Sequence, residues 1–101
     1  MEYKLVISPS AERDIAKIEE YISKDKPSAA KKMVKKIAKA LRNLKLFPNA
    51  NPLLSNKFDV DLEFRMLVTK PYISFYLVKD NVVEVVRILH GKSDYFSELG
   101  I

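Results

Sequence analysis

One histidine, His90, stands in the run Val86-Arg87-Ile88-Leu89-His90-Gly91-Lys92. Imidazole exchanges a proton near neutral pH, so His90 could serve as general base or general acid. Arg65 and Arg87 could grip a phosphate or a carboxylate through two parallel N–H groups. Attack of a ribose 2′-hydroxyl on the adjacent phosphate needs a base, an acid and positive charge around the phosphorane. His90, a phenol from Tyr76 or Tyr95, and the cations Arg65, Arg87 and Lys92 supply those kinds of group. The same residues also have ordinary structural uses. His90 could cap the end of a strand, and Arg65 and Arg87 could pair with Glu63, Glu84 or Asp94. Tyr72 and Tyr76 could stack on bases, anchor a partner peptide or fill a cross-strand surface.

Composition removes many other chemistries. The chain has 101 residues, which favours one domain over residues 1–101. It has no cysteine, so disulfide scaffolds, thiol nucleophiles and Cys-based metal centres are excluded, and cytoplasmic conditions suit it. With one histidine the chain cannot build a multi-His metal site, and no metal or cofactor is expected. Two glycines, Gly91 and Gly100, cannot form a phosphate-cradling loop or a dinucleotide fingerprint. No apolar run nears the roughly 20 residues that span a bilayer, and MEYKLVISPS does not read as a secretory signal. Lys and Arg number 18 against 13 Asp and Glu, a net charge of +5, which favours an acidic partner without naming it.

The elements that must position these residues follow from hydrophobic period. Tyr3 to Ile7 alternates as a first strand. Ser8 suits an N-cap and Pro9 the first helical position. Glu12 and Asp14 place negative charge in the first turn, where the helix dipole favours it. Ala11, Ile15, Ile18 and Ile22 make the apolar stripe of a helix ending near Ser23. A second helix, roughly Ser28 to Leu46, has the stripe Ala30, Met33/Val34, Ile37, Leu41 and Leu44. Lys31, Lys32, Lys35, Lys36, Lys39 and Arg42 lie opposite. That row resembles a nucleic-acid stripe but reads first as the solvated side of an amphipathic helix, with no interleaved aromatics for stacking.

Pro48 and Pro52 end the helical region. From about Asp61 the period becomes two: Leu62, Phe64, Met66 and Val68, then Ile73, Phe75 and Leu77. Lys79-Asp80-Asn81 is a turn, Val82 to Leu89 a further strand, and Tyr95 to Glu98 a short helix. The order is β-α-α-β-β-β, an α+β domain whose αα-hairpin packs on one face of a mainly antiparallel sheet. The parity expected here puts Leu62, Phe64, Met66, Ile73, Phe75 and Leu77 under the helices. Arg65, Tyr72, Ser74, Tyr76 and Arg87 then lie on an open face.

Several runs, in this order and spacing, resemble the RelE/ParE toxin superfamily of bacterial type II toxin–antitoxin modules. They are Ile7 to Ile15, Ile18 with Tyr21-Ile22, Ala29-Ala30, and Leu44 with Phe47-Pro48. Arg65, Tyr72 to Tyr76 and Val86 to Asp94 complete the set, so the likeness spans nearly the whole chain. It implies a small basic toxin neutralised by a cognate antitoxin. RelE-like members are ribosome-dependent mRNA endonucleases, and ParE-like members act on DNA gyrase without a known nuclease activity. RelE-type nucleases commonly have an arginine where this chain has Ile73. They are also Arg-rich where it has Ser93-Asp94-Tyr95-Phe96. The spacing of Pro9-Ser10-Ala11, Tyr21-Ile22, Phe47-Pro48, Tyr76 and Leu89-His90-Gly91 is closer to ParE.

The leading expectation is therefore a ParE-like toxin with gyrase and an antitoxin as partners and no membrane association. Its partner-binding residues would be Arg65, Tyr72, Tyr76, Arg87, Tyr95 and Phe96. The alternative is an endoribonuclease acting on mRNA at the ribosome through His90, Arg65, Arg87, Lys92 and Tyr76. A non-toxic partner-binding domain is the third reading.

Overall fold

The computed structural model describes residues 2–57 and 63–101, apart from the side chains of Asn56 and Lys57. The chain runs β1 (Lys4–Ile7), α1 (Pro9–Ser23), α2 (Pro27–Asn43), α3 (Leu54–Lys57), β2 (Arg65–Thr69), β3 (Tyr72–Lys79), β4 (Val82–His90) and α4 (Tyr95–Leu99). The strands form one sheet in the order β1-β4-β3-β2, with β1 parallel to β4 and the other pairs antiparallel. The α+β arrangement and the order β-α-α-β-β-β hold, with α3 added before β2. The strand start expected near Asp61, and Leu62 with it, lie outside the described residues.

Helix α1 spans the range that its stripe predicts. Ser8 is extended and its Oγ accepts from the Ala11 N–H at 3.1 Å, while Pro9 fills the first turn. The same hydroxyl donates to the Val86 carbonyl at 2.8 Å, so one side chain starts the helix and fixes it to β4. Ser8→Ala should therefore reduce stability by about 1–2 kcal/mol in urea unfolding. A change below about 0.5 kcal/mol would show that the cap is dispensable. Helix α2 starts one residue earlier than expected, at Pro27, and ends at Asn43 instead of Leu46. The N–H groups of Leu44, Lys45 and Leu46 each bond three residues back, a tightening that ends the helix ahead of Pro48. A residue before proline is itself disfavoured in helical geometry.

The sheet is apolar on both faces. One face packs under α1 and α2, where Ala11, Ile18, Ile37, Leu41, Leu44, Tyr72, Tyr76, Val83, Val85 and Ile88 form the larger core. The other carries Met66, Ile73, Phe75 and Leu89, covered by Leu54 from α3 and by Phe64, Tyr95, Phe96 and Leu99. The parity expected from the sequence is thus reversed. Phe75 and Ile73 lie away from the helices, and Tyr72, Ser74 and Tyr76 lie beneath them, all buried. Arg65, paired in register with Tyr76, follows that side as well.

A bulge separates two halves of the β3–β4 ladder. Phe75 pairs with Arg87 but Tyr76 pairs with Val85, leaving Val86 as the extra residue. The bulge switches the parity of β4, so Val83 and Val85 before it and Ile88 after it all enter the larger core. In the β3–β4 turn, Asp80 adopts φ +55°, a left-handed value that aspartate tolerates.

Candidate partner-binding site

Strand β1 pairs with β4 only from Val82 to Val85. Beyond the bulge, the free side of β4 is met by α1. Asp14 lies here and is 6% exposed. Its Oδ2 accepts from Arg87 Nε at 2.7 Å and from the Ile88 backbone N–H at 2.9 Å, and its Oδ1 accepts from Arg87 Nη2 at 2.9 Å. Arg87 also donates through Nη1 to the Glu98 carbonyl at 3.0 Å and meets the Glu98 carboxylate at 3.3 Å. One guanidinium thus joins α1, β4 and α4. The fork on Asp14 raises the Arg87 pKa above its ordinary value, outweighing the opposing effect of burial. Arg87 is therefore an internal cation whose partners are Asp14 and Glu98, not the Glu63, Glu84 or Asp94 considered from sequence.

Two other candidates also have structural partners. Arg65 Nη1 donates to the Asn51 carbonyl at 2.6 Å and to the Asn49 carbonyl at 3.4 Å, holding the loop after α2. Tyr76 is fully buried. Its hydroxyl donates to the Pro48 carbonyl at 2.6 Å and accepts from Asn51 Nδ2 at 3.1 Å. Burial raises the Tyr76 pKa, with Asn51 and Arg65 acting in the opposite direction. Neither residue lies on an open face.

His90, Lys92 and Tyr72 gather at the end of β4. His90 is exposed, its ring set edge-on to Tyr72 with centroids 5.6 Å apart, and its Nδ1 accepts from the Lys92 backbone N–H at 3.1 Å. That bond makes His90 a cap on the turn after β4. Burial, and then Tyr21, raise the Tyr72 pKa. Gly91 donates to the Pro71 carbonyl at 2.8 Å, and a Cβ there would stand 3.2 Å from that oxygen, so glycine permits the close approach. Tyr95 donates to the Gly91 carbonyl and stacks at a tilt on Phe75, with centroids 5.1 Å apart. Phe96 packs beside it on the outer core.

These side chains frame a groove of about 640 Å³ between α1 and the end of β4. Ile18, Ile22, Met33, Tyr72 and Ile88 form its bed, and Lys17, His90 and the Asp14–Arg87–Glu98 cluster its polar rim. Tyr21, 74% exposed, stands at its edge. A mostly apolar groove with a charged rim suits a peptide segment better than a small reacting group. Of the five residues named for nuclease chemistry, Arg87 and His90 line the groove, and Lys92 follows His90 in the chain. Arg65 and Tyr76 are held instead by the loop after α2.

Of the two carboxylates expected in the first turn of α1, only Glu12 lies there, so Asp14 serves Arg87 and not the helix dipole. Sequence reasoning missed Asp14 and Glu98 as partners of that arginine. Asp14 had a visible signal, since Ala11, Asp14, Ile18 and Ile22 are spaced by three, four and four. A carboxylate on a buried stripe requires a cation. Among the described residues there is no cluster able to hold a metal, and no helix is long and apolar enough to cross a membrane.

A family model described as the ParE toxin of type II toxin–antitoxin system, parDE, matches residues 5–95. The chain belongs to this family and is a type II toxin by descent. Its fold is shared by a chain of the chromosomal ParDE toxin–antitoxin system of P. aeruginosa. That likeness has TM-score 0.73 and 22% identity, and covers 88% of this chain and 96% of that one. A chain of the RelBE2 toxin–antitoxin complex of Mycobacterium tuberculosis is also similar. Its TM-score is 0.64 and its identity 14%, covering 89% of this chain and 92% of that one. A search of curated protein sequences gave no match.

Proposed function

We propose that this chain is a single-domain cytoplasmic toxin that arrests growth by acting on DNA gyrase and is neutralised by a cognate antitoxin. The observation that carries this reading is the ParE match over residues 5–95. The site geometry supports it. Two of the three cations a phosphate-cleaving centre would use are engaged elsewhere, Arg87 by Asp14 and Glu98 and Arg65 by loop carbonyls. The antitoxin segment would lie in the groove beside α1, with apolar side chains on Ile18, Ile22 and Tyr72 and its contacts closing around Tyr21. Tyr95 and Phe96 would contribute by fixing the outer wall through α4, and Arg87 by holding the groove's two sides together.

The test is induction of the chain without its cognate antitoxin. Growth should stop while translated mRNA stays intact, and gyrase–DNA complexes should accumulate. His90→Ala and Lys92→Ala, both at exposed positions, should arrest growth within about twofold of the parent. Cleaved mRNA, with arrest abolished by His90→Ala, would instead establish the endonuclease reading. Absence of arrest would leave a partner-binding domain without toxicity.

A further inference from the structure

Helix α2 carries more charge than a solvated face requires. Its 17 residues include Lys31, Lys32, Lys35, Lys36, Lys39 and Arg42 and no acidic residue. All six are exposed, and among the described residues none forms an ion pair. Setting them aside leaves 12 Lys and Arg against 13 Asp and Glu in the rest of the chain, so the entire positive excess resides on this one helix. At 3.6 residues per turn the six lie within an arc of about 140° and along about 16 Å of helix. The apolar side of α2 is already occupied, with Ala30, Ile37 and Leu41 buried.

We infer that this face of α2 binds the phosphate backbone of double-stranded DNA. A row of like charges without an apolar centre lacks the anchors of a protein interface. It also has no free apolar face to lay into a membrane surface. Leu46 and Phe47 are exposed, but they follow the helix and lie outside the stripe. Duplex DNA presents about one charge per 1.7 Å of axis and is held by lysines without base contacts. With no aromatic side chain in α2, stacking on single strands plays no part. The choice of DNA over RNA rests on the gyrase reading, whose substrate is DNA. Binding at this stripe would hold the toxin on the duplex that gyrase engages.

The experiment measures fluorescence anisotropy of a labelled 30-bp DNA duplex with the purified chain across 50–200 mM salt, without gyrase. Six neutralised phosphates predict a log–log salt slope near −5, a loss of about 10³-fold over that range. Lys31→Gln, Lys35→Gln and Lys39→Gln together should weaken binding at least tenfold and flatten the slope by about 2.7. Far-UV circular dichroism should show the helices unchanged in that variant. The control replaces the exposed Lys4, Lys70 and Lys79 with Gln, removes the same charge, and should change affinity by less than about threefold. Equal weakening by the two triples, or no binding by the parent, would overturn the proposal. Tighter binding to an RNA duplex of the same length, or binding only to phosphatidylglycerol vesicles, would also overturn it. Because gyrase is absent from the assay, its outcome is independent of whether gyrase is the target.

Discussion

Asp14→Ala should remove about 3 kcal/mol of folding stability, seen as a large fall in the urea midpoint with little change in slope. The carboxylate accepts two bonds from Arg87 and one from the Ile88 N–H, and its side chain is 7% exposed. Removing it leaves a cation and a backbone donor facing apolar side chains, and breaking such a pair from one side costs about 3–5 kcal/mol. The lower end applies because the Arg87 side chain retains 21% exposure and keeps Glu98 as a second partner. Domains of this size have only about 5–15 kcal/mol in total, so the variant should be near half-unfolded at elevated temperature. A companion Asp14→Ala/Arg87→Met should recover part of the loss, because both charges are then gone. A loss below about 1 kcal/mol for Asp14→Ala would mean that α1 is held to β4 by packing alone.

Phe75→Ala should be at least as damaging, at about 3–5 kcal/mol. Phe75 is fully buried on the sheet face away from the long helices. It centres the cluster of Leu54, Met66, Ile73 and Leu89, and Tyr95 lies on its ring. Deleting that ring opens a cavity beneath α4, a five-residue helix too short to hold itself in place. Native-state hydrogen exchange should therefore show α4 losing protection in the variant while α1 and α2 keep theirs relative to global stability. Were the face away from the long helices open, the substitution would cost little. An unfolding change below about 1.5 kcal/mol, with α4 still protected, would contradict a two-sided sheet.

The local features were legible. Ser8 as a cap, Pro9 in the first turn and the stripe through Ile18 depend on neighbours within one helical turn, and α1 has the range they predict. The face assignment of β3 was not legible. Tyr72, Ser74 and Tyr76 are the more polar set, so alternation sends them to solvent. Tyr76 can be buried only because the Pro48 carbonyl, 28 residues away, receives its hydroxyl. Nothing near Tyr76 in the sequence reveals that acceptor. The reversal also explains the fate of the arginines. Arg65 follows Tyr76 to the side where the loop after α2 closes, and the bulge at Val86 brings Arg87 to the free edge of β4 against Asp14. An acidic partner was one of two readings for Arg87, beside a phosphate or partner contact. The carboxylates it meets are Asp14 on α1 and Glu98 on α4, neither of them among the three considered.

The surface picture changes in the same way. An open sheet face contested by antitoxin and target gives way to two separate features. One is the groove between α1 and the end of β4, with Tyr72, His90 and Tyr21 around it. The other is the charged side of α2, whose six cations account for the basic character of the whole chain.

The most direct test of the central claim uses purified components. The chain is incubated with DNA gyrase, ATP and supercoiled plasmid, the reaction is quenched with detergent, and linear DNA is scored after protease digestion. A gyrase-directed toxin should produce protein-linked double-strand breaks in proportion to its concentration, and prior addition of the cognate antitoxin should abolish them. Unbroken plasmid and undiminished supercoiling at toxin excess, alongside cleavage of mRNA on translating ribosomes, would contradict the account.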